Sequence, residues 1–111
     1  MKLLIAGSRN IDNIDLEKFV SKEVTLIISG GAKGVDTLAE RYADKKGISK
    51  LILRPKYNLY GKGAPLKRNI EMIEIADHIL IFWDGKSRGT KFTIDTAQKM
   101  NKPITVITTE H

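Results

Sequence analysis

Five short apolar runs, nearly unbroken by polar residues and rich in β-branched side chains, set the strongest limit on what this chain can fold into. They are residues 2–6 (KLLIA), 24–29 (VTLIIS), 50–53 (KLIL), 78–82 (HILIF) and 104–108 (ITVIT). A strand with one wet face alternates polar and apolar residues. A strand covered on both faces does not, and that is the pattern here. The segments between the runs carry apolar residues at helical spacing: Leu16, Phe19 and Val20; Val35, Leu38, Ala39 and Tyr42; Leu66, Ile70 and Ile73; Ile94, Ala97 and Met100. Gly47 stands where a helix C-cap would, Pro65 suits a first helical turn, and Pro103 blocks continuation of the last helix. The order βαβαβαβαβ predicts one α/β domain over residues 1–111. Its architecture is a Rossmann-like three-layer α/β/α sandwich with a five-stranded parallel sheet in order 3-2-1-4-5. The longest irregular stretch, 54–63, is expected to be a binding loop.

Composition narrows the function classes. The chain has no cysteine, which excludes a disulfide framework and a cysteine metal site. No apolar run approaches the ~20 residues of a membrane span, and residues 1–8 lead into the first strand without a signal-peptide layout. The expectation is a soluble, cytoplasmic protein with no membrane partner. The formal charge of +6 favours an anionic partner.

The glycines say where that partner would sit. Eight of the nine lie in loops that follow strands: Gly7; Gly30, Gly31 and Gly34; Gly61 and Gly63; Gly85 and Gly89. In a parallel sheet these loops share one edge, where ligands bind at the switch in strand order. The same loops hold ten of the nineteen basic residues: Arg9, Lys33, Arg54, Lys56, Lys62, Lys67, Arg68, Lys86, Arg88 and Lys91. Asp36 and Asp84 are the only acids near them. Glycine loops, helix N-termini and converging cations suit phosphate. Backbone N–H groups of Gly7, Ser8, Gly30, Gly31 and Ala32 are expected to cradle it, with Arg9, Arg68 and Lys33 neutralising charge. Ser87, Gly89 and Thr90 would close the other side, and Asn69 lies beside Arg68.

Taken in order, Gly7-Ser8-Arg9, Ser29–Asp36 (SGGAKGVD), Arg68-Asn69 and Gly89-Thr90 resemble the SLOG superfamily. The phrase 82–90 (FWDGKSRGT) is most similar to its small YspA-like proteins. The resemblance runs over nearly the whole chain and implies a Rossmann-like domain that binds a nucleotide or nucleotide-derived ligand at this edge. It also implies a homodimer. The related LOG phosphoribohydrolases carry R-K-x-x-M-x-x-x-A-D followed by P-G-G-x-G-T-x-x-E. Arg68-Asn69, Met72 and Ala76-Asp77 fit the first spacing, which puts Arg68 in the place of that family's functional arginine. In the second motif Thr93 stands where the glutamate belongs, and threonine cannot stabilise positive charge growing on a ribose. The DNA-processing protein A family shares the GSR element, the SGGA-x-G-[IV]-D run and the R-N pair. A single-strand binder also needs several aromatics along a groove, and only Tyr57, Tyr60 and Trp83 are candidates.

Trp83 is placed either to stack on a base or to pack beneath a loop. Tyr57 and Tyr60 are expected to anchor the long loop rather than form a lid. Asp36 and Glu40 lie one helical turn apart; Asp36 either touches ligand or complements the helix dipole. His78 is expected to be structural, and His111 is terminal. No nucleophile–base pair or metal cluster stands out, and no cofactor is expected. The reading is a non-catalytic sensor or sequestering module for a nucleotide-derived small molecule. One alternative is N-glycosidic cleavage of a nucleoside monophosphate, with Arg68 on the phosphate and Asp36 or Asp95 substituting for the glutamate. The other is single-stranded nucleic-acid binding.

Overall fold

A computed structural model describes residues 1–109. The expectation for His111 falls outside them. The five apolar runs form β1 (Lys2–Gly7), β2 (Leu26–Ser29), β3 (Ser49–Ile52), β4 (His78–Trp83) and β5 (Ile104–Thr108). Every neighbouring pair is parallel and the order is β3-β2-β1-β4-β5, as the sequence predicts. Successive side chains enter opposite layers. Leu3 and Ile5 of β1 join Ile27, Leu80 and Phe82 on one face. Leu4 joins Ile28, Ile79 and Ile81 on the other. Both sets are buried, which is why the runs do not alternate.

The helices are α1 (Val35–Lys46), the single turn α2 (Tyr57–Tyr60), α3 (Ala64–Ile75) and α4 (Arg88–Lys99). Right-handed crossovers from β1 through β2 to β3 fall on one face; those from β3 through β4 to β5 fall on the other. Accordingly α1 packs with the β1–β2 connection, and α3 and α4 share the opposite layer. Gly47 ends α1 in the left-handed region, with φ 69°. No helix among the described residues is long and apolar enough to cross a membrane.

Two expectations need correction. The stripe Leu16, Phe19 and Val20 forms no α-helix, only a 3-10 turn over Leu16–Lys18. It spans five residues between Asp15 and Ser21, too few to repay helix nucleation. Its side chains still cover the sheet: Leu16 is buried, and the Phe19 ring stands edge-on to Phe82 at 5.3 Å. In α3 the buried face is Met72, Ile73 and the following Ala76, while Leu66 remains 47% exposed. Met72 and Ala76 continue the apolar face past Ile73 in one direction only. The sheet takes that side and leaves Leu66 on the flank.

Candidate functional site

Strand order reverses between β1 and β4, because the chain leaves β1 toward β2 and leaves β4 toward β5. Connections that diverge this way open a crevice at the strands' carboxyl ends. A cavity of about 570 Å³ lies there. Ten of the fourteen expected binding residues line it: Gly7, Ser8, Arg9, Ala32, Asp36, Arg68, Asn69, Ser87, Gly89 and Thr90.

One wall joins β1 to β4 and α4. The Ser8 N–H donates to Phe82 O at 3.0 Å. Its buried hydroxyl accepts from Asp84 N at 3.1 Å and lies 3.4 Å from Thr90 Oγ1. The Asp84 carboxylate accepts from Lys86 N (2.8 Å), Ser87 N (2.7 Å) and Ser87 Oγ (2.8 Å). These bonds, the backbone ones first, hold its pKa far below the usual carboxylate range. With its charge committed to the loop, Asp84 shapes the entry to α4. The first backbone bond of that helix is Lys91 N to Ser87 O at 3.1 Å. The N–H groups of Arg88, Gly89 and Thr90 therefore precede any intrahelical partner, no side chain among the described residues caps them, and all three residues line the cavity. Positive helix-dipole potential faces the same space.

The other wall is Asp36, Arg68 and Asn69. Arg68 donates from Nε to Asn69 Oδ1 at 2.9 Å and from Nη1 to the carbonyls of Gly30 (2.7 Å) and Leu53 (3.3 Å). Asp36, only 8% exposed, accepts the Ala32 N–H on Oδ2 at 3.1 Å. Burial pushes the Asp36 carboxyl above its ordinary pKa, against the pull of Ala32 N–H and Arg68. Burial also holds the Arg68 guanidinium below its ordinary value; Asp36 and Tyr57 oppose that shift and Arg9 adds to it. Arg9 itself is exposed at the rim and forms no ion pair among the described residues. The ion pairs found there, Lys46–Glu17, Lys50–Asp44 and Lys91–Asp95, all lie away from the cavity.

Gly30, Gly31, Lys33 and Trp83 do not line this cavity. Three N–H groups of the expected cradle are already engaged: Ser8 with Phe82 O, Gly31 with Ser29 Oγ (3.3 Å) and Ala32 with Asp36. Arg54 and Arg68 grip the Gly31 and Gly30 carbonyls (3.1 and 2.7 Å) and draw the β2–α1 loop toward β3. A Cβ on Gly31 would strike the tip of Arg54 at 2.5 Å, and its φ of +73° by itself already calls for glycine here. Lys33 is exposed on that loop. Trp83 donates Nε1–H to Ser87 O at 3.1 Å, which ties the indole to the β4–α4 loop.

The remaining candidates also find places. Asp95 pairs with Lys91 at 2.8 Å and stands off the cavity, whereas Thr93 lines it and donates to Gly89 O at 3.2 Å. Glu40 accepts from Ser29 Oγ at 3.2 Å outside the cavity. His78 hydrogen-bonds Thr105 Oγ1 at 2.9 Å. Tyr57 and Tyr60 are 62% and 43% exposed, so they do not anchor the loop by burial; the Lys67 ammonium sits over the Tyr60 ring at 5.1 Å. Asn10, Pro65, Leu66, Met72 and Arg88 line the cavity and were not singled out as site residues. Arg88 was legible as the residue opening a helix at the sheet edge. The apolar three depend on the rotation of α3 about its axis, which no local signal carries.

No family model and no solved structure matches the chain. Over 85 residues it is 34% identical to the Gene 61 protein of Mycobacterium phage D29, covering 71% of this chain and 68% of the phage protein. The protein therefore belongs to the same family as that phage protein.

Proposed function

We propose that this protein binds a nucleotide or nucleotide-derived phosphate ligand in the switch-point cavity and holds it without cleaving it. One observation carries the reading. Free N–H groups at the start of α4, together with Arg9 and Arg88 side chains that pair with no acid among the described residues, border one cavity whose nearer acid, Asp84, is consumed by its own loop. Arg9 disfavours the charge on Arg68, and an anion beside the two relieves that repulsion. The resemblance to the SLOG superfamily points to the same ligand class.

Mass spectrometry of small molecules released from natively purified protein tests the proposal, followed by calorimetry with a nucleotide panel. Micromolar binding of a nucleotide with no free base released on long incubation supports it. Release of base, lost in Arg68→Ala, replaces holding with N-glycosidic cleavage. Asp36 is then the carboxylate in position, since Asp95 lies off the cavity. The exposed Tyr57 and Tyr60 beside Lys62 and Lys67 favour a second reading, single-stranded nucleic-acid binding. Affinity that rises with oligonucleotide length and falls steeply with salt identifies that case. The homodimer implied by the resemblance is checked by light scattering. Exposed Leu59, Tyr60 and Leu66 are the apolar surface that a second copy would cover.

A further inference from the structure

We propose that Asp36 and Asn69 read the hydroxyl groups of a sugar phosphate, so that the cavity selects a polyhydroxylated anion over a bare one. The inference rests on the proposed anion site at α4 and assigns the opposite wall.

Asp36 is more than nine-tenths buried and lines the cavity. Its Oδ2 is taken by Ala32 N–H, which leaves Oδ1 as an acceptor with no partner among the described residues. Asn69 accepts Arg68 Nε–H on its own oxygen at 2.9 Å. That bond fixes the amide orientation and leaves the amino group of Asn69, a residue lining the same cavity, with no acceptor among the described residues.

An acceptor and a donor lining the same cavity do not by themselves suit a phosphate. The carboxylate repels phosphate oxygens, which are better placed against the α4 N–H groups, Arg9 and Arg88. A hydroxyl fits both vacant groups, because it donates to Asp36 and accepts from Asn69. Arg68 is hydrogen-bonded to Asn69 and stands near Asp36: an ideal Cβ on Gly30 would lie 2.8 Å from Arg68 Nη1 and 2.9 Å from Asp36 Oδ2. Its positive charge keeps Asp36 compatible with an anionic ligand. Asp36 Oδ1 keeps contact with solvent, and a hydroxyl-bearing ligand supplies a donor in place of that water.

The test is calorimetry on the full chain with inorganic phosphate, ribose 5-phosphate, 1-pentyl phosphate and adenosine 5′-monophosphate. Pentyl phosphate matches ribose 5-phosphate in carbon count but lacks its hydroxyls, and the nucleotide offers the same sugar phosphate from a second source. The wild type is expected to bind ribose 5-phosphate about tenfold tighter than pentyl phosphate, the worth of one or two charge-assisted hydrogen bonds. Asp36→Asn keeps the side-chain shape and an acceptor for Ala32. It should lower affinity for ribose 5-phosphate and for the nucleotide about tenfold while tightening inorganic phosphate, since a repelling charge is gone. A protein that merely loosened its loop would lose all four probes together, and that result overturns the assignment. Equal wild-type affinity for ribose 5-phosphate and pentyl phosphate also overturns it, with no variant needed. If inorganic phosphate and every other probe fail to bind the wild type, the anion site at α4 falls first and this inference with it.

Discussion

Arg68 donates from Nη1 to the carbonyl oxygen of Gly30 at 2.7 Å, from α3 to the loop that follows β2. The same nitrogen reaches Leu53 O at 3.3 Å at the end of β3's run. A residue expected from sequence to contact ligand thus fastens two loops of the sheet edge. Gly30 is buried, so removing the guanidinium takes the partner from a buried carbonyl. Arg68→Ala is expected to destabilise the fold by about 1–3 kcal/mol in urea titrations. Loss of binding in this variant is meaningful only when measured where it remains folded.

Two glycines beside the cavity should respond in opposite directions. A Cβ on Gly7 would lie 2.3 Å from Phe82 O and 2.6 Å from Val35 Cγ2, with backbone on one side and the α1 terminus on the other. Gly7→Ala should cost about 1–3 kcal/mol through overpacking. Gly89, in the first turn of α4, would place its Cβ in open space, so Gly89→Ala should be neutral or stabilising by up to about 1 kcal/mol. Thermal unfolding of the pair checks both signs.

Asp36 and Asp84 give the fold opposite pH dependences. Burial raises the Asp36 pKa above its ordinary 3.8, so the folded state retains a proton that the unfolded chain has released. Its effect is absent in strong acid, and stability falls as pH rises from 3.8 through the folded value. Asp36→Asn should therefore stabilise the protein at pH 7, with the gain shrinking toward pH 3. Denaturation midpoints across that range measure it.

Asp84 runs the other way. Its loop bonds depress the folded pKa below 3.8, so its contribution is complete above that value and is lost as pH falls beneath it. Asp84→Asn should remove part of the acid sensitivity below pH 4 and lower stability at neutral pH, where the charged acceptor of Lys86 and Ser87 is missing. Far-ultraviolet circular dichroism during acid titration distinguishes the two proteins.

Trp83 is the only tryptophan, and its indole is tied to Ser87 one residue before α4. Ligand binding at the α4 terminus should shift its emission, and Trp83→Phe should cost about 1 kcal/mol through the lost hydrogen bond. An emission spectrum unmoved by saturating ligand would place binding elsewhere.

How much of this was legible in advance depends on the range over which each feature is decided. The five strands, their parallel order and the opposed helix layers follow from apolar runs that cannot alternate when both faces are covered, combined with the handedness of crossovers. Glycines and cations after those runs located the edge. Tertiary structure decided which groups at that edge are free. Ser8, Gly31 and Ala32 supply N–H donors on paper, yet Phe82, Ser29 and Asp36 engage all three through partners brought in by folding. Trp83 turned beneath its loop because Ser87 O lay within reach, and Leu66 was left outside because Met72 and Ala76 rotated α3 the other way. Periodicity and turn chemistry are local and can be read along the chain. The saturation of a hydrogen-bonding group, and the face a helix turns inward, depend on neighbours that the chain alone does not place side by side.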